Sequence, residues 1–291
     1  MNYITECSMI PEPIFRRLEQ IKHIVLDLDG TIYTGETIFS YTIDFLDTLG
    51  RLGISYSFLT NNSSKSSSDH LTKLQAMGVN VSLENLFTSA DATIYFINTH
   101  YPEWRRLFIL GTPSLIAQFE SSGFIVLDEN SKEDPDALLV SFDTSLTYAG
   151  LCRAAWWAKQ GKPYITTNPD LVCPSDEEVV LIDCGAIALC LEAATGRRPD
   201  KVLGKPQAEI LTGLIASKNM EVNQVAMVGD RIYTDMLTAH NAGSLGILVL
   251  SGEADLDDVN ESPISLDLIL PSIKELGQLM LKVHGAKIEI I

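Results

Sequence analysis

Four short apolar runs, each stopped by polar or glycine residues, restrict this chain more than any other feature. Ile24–Leu28 (IVLDL) runs into Asp29-Gly30, and Ile54–Leu59 (ISYSFL) runs into Thr60-Asn61-Asn62. Val225–Val228 (VAMV) runs into Gly229-Asp230, and Gly246–Leu250 (GILVL) runs into Ser251-Gly252. Runs of this kind suit the strands of a parallel sheet buried on both faces. Helix-like stretches lie between them. In Thr42–Leu52 the apolar set Ile43, Leu46, Leu49 and Leu52 falls at three-residue steps, and Ile210, Leu211, Leu214 and Ile215 mark a stripe in Ala208–Ile215. This alternation predicts a doubly wound α/β sheet. Such sheets bind ligands at the carboxyl ends of their strands, where all four polar clusters sit.

The middle of the chain repeats the rhythm with strands of its own. Leu107–Leu110, Phe124–Leu127, Ala137–Phe142 and Tyr164–Thr167 each end near turn or polar residues. The expectation is a Rossmann-like core of residues 1–82 and 198–291, with an inserted α/β cap of residues 83–197. The serine-rich stretch Ser63–Ser68 reads as a helix N-terminus rather than a linker.

Charge narrows the partners. Acidic residues outnumber basic ones, 38 against 21, for a formal net charge of -17. A chain this acidic is repelled by phosphate backbones and anionic lipids, so neither nucleic acid nor a membrane surface is expected as a partner. An anionic substrate would need local compensation from a metal ion and a lysine. No apolar run approaches the roughly 18 residues that span a bilayer. Met1–Ile21 lacks a basic start followed by an apolar stretch, so no signal peptide is expected. The five cysteines, Cys7, Cys152, Cys173, Cys184 and Cys190, are scattered, which fits reduced thiols in a cytoplasmic protein.

Four clusters carry the chemistry. In Asp27-Leu28-Asp29-Gly30-Thr31, two carboxylates flank a leucine turned the other way, so both can face one ligand at a strand end. Such a pair suits a hard cation such as Mg²⁺; standing alone it also fits a solvated turn or the metal site of a glycosyltransferase. Thr60-Asn61-Asn62 offers a hydroxyl and N–H donors at a helix start, suited to phosphate oxygens or to ordinary capping. Gly204-Lys205-Pro206 fixes a compact positive charge in a tight turn, suited to a phosphoryl group, although standing alone it also reads as an ordinary surface lysine. Gly229-Asp230-Arg231-Ile232-Tyr233-Thr234-Asp235 adds two more carboxylates, one at a strand end and one about a turn into a helix. Four converging carboxylates repel one another unless a cation lies between them.

DLDGTIY, TNN, GKP and GDRIYTD, in this order, resemble the four motifs of the haloacid dehalogenase superfamily of aspartate-nucleophile hydrolases. The large insertion between the second and third resembles the branch with a type-two α/β cap, which holds 4-nitrophenylphosphatase, phosphoglycolate phosphatase and NagD-like sugar phosphatases. The resemblance implies that Asp27 attacks phosphorus and becomes an aspartyl phosphate, and that Asp29 acts as acid and then base. It further implies Mg²⁺ held by the Asp27 side chain, the Asp29 carbonyl and Asp230, with Asp235 orienting a bound water or Lys205 from behind. Thr60 and the Asn61 amide, with Asn62 beside them, would bind phosphoryl oxygens, and Lys205 would offset developing charge. An aspartate at position 29 matches phosphatases and phosphomutases rather than dehalogenases or transport ATPases. Tyr33-Thr34-Gly35 would open a small flap.

Substrate choice should lie in the cap, where Asn168-Pro169-Asp170 resembles a loop that reaches the active site in this branch; a plain Pro-Asp turn is the other reading. The implied activity is hydrolysis of small phosphorylated metabolites such as sugar phosphates, with pairing of two copies through the cap. A phosphomutase, a receiver-like signalling domain and an idle homologue acting as an interaction protein are the alternatives. Trp156-Trp157 is expected to pack a cap helix, His23 to be a half-buried neighbour of the first strand, and Glu253–Asp258 to be a solvated loop or helix start.

Overall fold

The computed structural model describes residues 10–173 and 178–285; Cys7 and Asp176 lie outside them. The chain divides into two compact units. One takes the chain up to Leu59, Leu71–Leu86, and everything from Pro206 onward; the other takes Thr60–His70 and Phe87–Lys205. The second unit therefore includes the segment after the second apolar run as well as the expected insertion. Hydrogen bonds explain that segment's allegiance: Ser63 Oγ joins Ser141 and Thr167, Thr112 Oγ1 donates to the Ser64 carbonyl at 2.8 Å, and Ser67 Oγ donates to Asp91 at 2.7 Å.

The first unit is built on a six-stranded sheet with β1 (His23–Leu26), β4 (Ser55–Thr60), β5 (Leu86–Thr88), β13 (Val225–Gly229), β14 (Leu245–Val249) and β15 (Leu268–Leu270), in the order β15-β14-β13-β1-β4-β5. The pairings β15–β14, β14–β13, β13–β1 and β1–β4 are parallel. The order reverses at β1: the chain builds outward through β4 and β5, then returns to the other flank at β13. That reversal is the switch point at which doubly wound sheets bind ligands.

Both faces of the sheet are covered. Ile247 and Val249 of β14 point into a core shared with Ile24, Leu26, Phe45, Leu49, Leu276 and Met280, whereas Leu248 packs with Ile232, Met236, Val259 and Ile269. Burial on both sides explains why these strands read as continuous apolar runs. The helix Thr42–Arg51 buries Phe45, Leu46 and Leu49 and leaves Ile43 exposed. The inward stripe thus follows the three- and four-residue steps of a helix, and Ile43 falls off it. The helix Ala208–Ser217 buries all four of its expected residues. His23 is fully buried rather than half-buried, its ring nitrogens 2.7 Å from Ser55 Oγ and 3.1 Å from Ser57 Oγ. Burial and the nearby Lys218 charge push its pKa down to about 4, so the imidazole stays neutral. A small antiparallel ribbon, β2 (Tyr33–Thr34) with β3 (Thr37–Ile38), occupies the place of the expected flap.

The second unit repeats the plan. Its sheet contains β6 (Arg106–Leu110), β7 (Ile125–Leu127), β8 (Ala137–Val140), β9 (Tyr164–Thr166) and β12 (Lys201–Val202), all parallel, in the order β12-β9-β8-β6-β7. Alternate residues again face opposite cores. Phe108, Leu110, Leu138 and Val140 pack with Trp157 and Leu191, while Leu107, Ile109, Ala137 and Leu139 pack with Ile97, Leu115 and Phe119. Trp157 does pack the cap helix Tyr148–Lys159, but Trp156 on the same helix is 52% exposed. A second ribbon pairs β10 (Val172–Cys173) with β11 (Leu181–Ile182).

Candidate active site

In the first unit the acidic residues gather at the switch point. The Asp27 N–H donates to the Val228 carbonyl at 2.9 Å, continuing the β1–β13 ladder, so Asp27 and Asp230 leave the ends of neighbouring strands side by side. After Asp230 the chain makes one turn of π-helix, Ile232–Met236, that runs straight into the helix Leu237–Ala242. The wide turn brings Asp235 back toward the strand end, where the Arg231 N–H donates to its Oδ2 at 3.2 Å. Carboxylate oxygens of Asp27, Asp230 and Asp235 lie within 4.8 Å of one another, and all three residues are buried.

Glycines make room for this crowding. A Cβ on Gly30 or Gly252 would collide with the Asp230 carboxylate, and one on Gly229 with the Asp235 carboxylate. Gly30 also holds a φ of +77°, which side-chain-bearing residues adopt at a penalty. The Ser251 hydroxyl fastens the Gly30 carbonyl at 2.7 Å, and the Glu253 N–H donates to Asp230 Oδ2 at 2.7 Å. Asp230 Oδ1 is buried with no hydrogen-bond partner among the described residues. Burial, then the Asp27 and Asp235 charges, push the Asp230 pKa up to about 7. Asp29 is raised as well, by burial first and then by Asp27, against the opposing pull of Lys73, Arg231 and the Tyr33 hydroxyl 3.4 Å from its Oδ2. Burial alone would lower Arg231, but Asp27, Asp230 and Glu253 outweigh it and keep the guanidinium charged, with Nε 2.9 Å from Glu253.

Three buried carboxylates with one orphaned oxygen form an all-oxygen, strongly negative donor set, which suits a hard divalent cation. The expected ligand trio was Asp27, Asp29 and Asp230. Asp29 was expected to contribute its backbone carbonyl, and its carboxylate lies toward Tyr33; among side chains, Asp235 joins Asp27 and Asp230. Sequence reasoning gave no chemical role to Arg231, though it lies in GDRIYTD, or to Gly252, and read Glu253 only as the start of a solvated loop or helix.

The remaining expected residues gather within the second unit. Thr60 Oγ1 accepts the Asn62 N–H at 3.1 Å, and Asn62 Oδ1 accepts the Ser64 N–H at 3.0 Å, so both side chains shape the turn. Asn61 reaches Lys205 and Asp170, and Asn168 Nδ2 donates to the Asn61 carbonyl at 3.1 Å. Lys205 is buried. Asp170 closes a short turn by donating its N–H to Asn168 Oδ1 at 2.9 Å. Below this loop Asp183 is pushed up to about 7, by burial and secondarily by Asp170, although the Cys184 N–H and Asn168 side chain favour its charged form.

A parallel sheet carries the acidic switch point, and in sequence the second α/β unit is inserted between the segments that build it. Residues 24–125 match the haloacid dehalogenase-like hydrolases, and residues 202–276 match a second hydrolase family of the same superfamily. The chain is 31% identical over 247 residues to the acid sugar phosphatase of Staphylococcus aureus, covering 85% of this chain and 93% of that protein. It superposes on the 4-nitrophenylphosphatase of Thermotoga maritima with a TM-score of 0.85 at 37% identity, covering 90% of this chain and 98% of that one. With NagD from E. coli K-12 the TM-score is 0.79 at 29% identity, over 88% and 98%. The chain belongs to the haloacid dehalogenase-like hydrolases, in their NagD-like branch.

Proposed function

We propose that this chain is a Mg²⁺-dependent phosphomonoester hydrolase of small phosphorylated metabolites, sugar phosphates foremost, working through an aspartyl phosphate. The observation that carries the reading is the buried trio Asp27, Asp230 and Asp235, gathered within 4.8 Å at the switch point of a parallel sheet. The acid sugar phosphatase and 4-nitrophenylphosphatase relatives support the substrate class.

Asp27 is the nucleophile: its carboxylate oxygen forms a bond to phosphorus as the bond to the leaving alkoxide breaks. Asp29 gives its proton to that alkoxide, and the burial and the Asp27 charge that raise its pKa favour the protonated form this step needs. Asp29 then takes a proton from the water that attacks phosphorus, releasing inorganic phosphate and restoring Asp27. Asp27, Asp230 and the Asp29 carbonyl, with Asp235 behind them, would hold Mg²⁺, which would supply positive charge toward the phosphoryl oxygens. Thr60 and the backbone N–H of Asn61 bind those oxygens, Asn62 holds the turn, and Lys205 offsets the charge that grows on them. Asn168 and Asp170 belong to the loop that meets the leaving group. Scattered cysteines without the spacing of a metal or redox pair support a reducing, cytoplasmic setting.

The test is phosphate release from 4-nitrophenyl phosphate and a panel of sugar phosphates, with Mg²⁺ or a chelator, by native protein and Asp27→Asn. Turnover that requires Mg²⁺ and vanishes in the variant is the expected outcome. Well-folded native protein without Mg²⁺-dependent turnover would sink the reading.

A further inference from the structure

Asn61 follows Thr60 in the segment assigned above to phosphoryl binding, yet its side chain is fully engaged elsewhere. Its Oδ1 accepts the Lys205 N–H at 2.7 Å. Its Nδ2 donates to the Lys205 carbonyl at 2.9 Å and to Asp170 Oδ2 at 2.9 Å. One acceptor and both amide hydrogens are thereby used. The orientation of the amide is forced: turned over, its oxygen would face a carbonyl and a carboxylate, and its NH₂ would face an N–H. The side chain therefore grips both sides of one residue's backbone.

The surroundings are shaped for this grip. Gly204, just before the lysine, holds a φ of +76°. A Cβ there would lie 2.9 Å from Asn61 Oδ1, 2.9 Å from Asn168 Cβ and 2.7 Å from the Thr167 carbonyl. The Asn61 carbonyl is itself fastened, by Ser89 Oγ at 2.8 Å and Asn168 Nδ2 at 3.1 Å. The clamp is consequently anchored at both ends, and one anchor is the Asn168–Pro169–Asp170 loop.

We propose that Asn61 is a positioning residue: through Lys205's backbone it sets where the lysine ammonium stands, and through Asp170 it ties that placement to the substrate loop. This rests on the phosphatase reading, in which Lys205 offsets charge developing on the phosphoryl group. A misplaced lysine weakens the transition state more than the ground state, so the defect falls on kcat more than on KM.

A double-mutant cycle of native protein, Asn61→Asp, Asp170→Asn and the double variant tests this. kcat and KM for 4-nitrophenyl phosphate are read with Mg²⁺, per folded molecule by circular dichroism. A carboxylate at position 61 loses both donations and faces the Asp170 charge, so kcat falls roughly 100-fold with KM changed less than about threefold. Asp170→Asn alone lowers kcat about fivefold, yet in the Asn61→Asp background it restores about tenfold by returning a donor. If Asn61→Asp does not fold, Asn61→Ser, which removes the grip without adding charge, is read instead and lowers kcat roughly tenfold. Native turnover accompanied by undiminished kcat in Asn61→Asp or Asn61→Ser, or by no recovery in the double variant, overturns the clamp alone. Absence of Mg²⁺-dependent turnover in the native protein overturns the phosphatase reading and the clamp with it.

Discussion

At the switch point of the first unit, three carboxylates stand within 4.8 Å of one another, packed against glycines, with a buried oxygen that no described residue satisfies. Around Asn61 in the second unit the polar groups are just as crowded, but they are mainly amides and hydroxyls that answer one another. Ser63, Ser141 and Thr167 share hydrogen bonds of 2.6 to 3.1 Å, and Asn61 uses every position of its side-chain amide. Crowded like charges raise the energy of the folded chain until a cation joins them. A satisfied polar network lowers it and fixes side chains in one arrangement. The first region is thus built to be completed from outside, and the second to hold its own geometry.

Asp27→Asn separates the two most sharply. On the proposed mechanism, in which it removes the nucleophile, it should lower kcat at least ~1,000-fold. In the absence of metal it should also raise the melting temperature, because one of the three mutually repelling charges is gone. Asn61→Asp, which adds a charge to the self-satisfied region, should lower the melting temperature. A fall with Asp27→Asn in metal-free protein would break the comparison.

Glycine substitutions come next. Gly30→Ala forces a side chain into positive φ and against Asp230, and should lower Mg²⁺-dependent kcat roughly 100-fold. Gly204→Ala meets the Thr167 carbonyl and Asn61 Oδ1 and should cost about 2 kcal/mol of stability in urea unfolding. Mg²⁺ should offset part of any stability lost in the first variant and none of that lost in the second, because only Gly30 abuts the acidic trio.

The elements visible in the sequence were those with enough residues to show a pattern. The strands at 23–26, 225–229 and 245–249 are apolar through most of their length because both faces are covered, whereas in the strand at 55–60 the buried apolar residues are Phe58 and Leu59. Leu268–Leu270, Lys201–Val202 and the Val172–Cys173 ribbon are too short for periodicity to register. The equally short Ile125–Leu127 and Tyr164–Thr166 showed only as apolar runs ending near turn or polar residues. Among the candidate residues, Asp27, Asp29 and Asp230 were marked by their places at strand ends, and Lys205 by its glycine-proline turn. Asp235 was expected among the converging carboxylates, but not the π-turn that carries it there, which one extra residue per turn creates. Nor could the sequence show that Asn61 grips a backbone 144 residues away, which is a matter of tertiary distance. The helix stripe was drawn through Ile43 because a strict three-residue step ignores the four-residue neighbour, Phe45 to Leu49.

The smallest expected effect sets the same two regions against each other through pH. Asp230 and Asp183 are both pushed from 3.8 to about 7, each chiefly by burial. For a carboxyl whose folded pKa is raised, the native chain holds its proton between pH 4 and 7 while the unfolded chain has released it. Metal-free protein should therefore lose stability as pH rises through that window, by on the order of 1–3 kcal/mol for each group. At this chain length that is a drop of several degrees in melting temperature. The two contributions have different remedies. Bound at the trio as proposed, Mg²⁺ would favour the ionised Asp230 and remove its share of the slope, whereas Asp183, which caps the helix Cys184–Thr195, has no part in the acidic trio. Asp183→Asn keeps an oxygen to accept the Cys184 N–H and carries no charge to bury, so it should flatten the remaining slope. Melting curves from pH 4 to 8, with and without Mg²⁺, for native protein and Asp183→Asn read both. A slope that Mg²⁺ leaves intact in Asp183→Asn would mean that the trio is not completed by the cation.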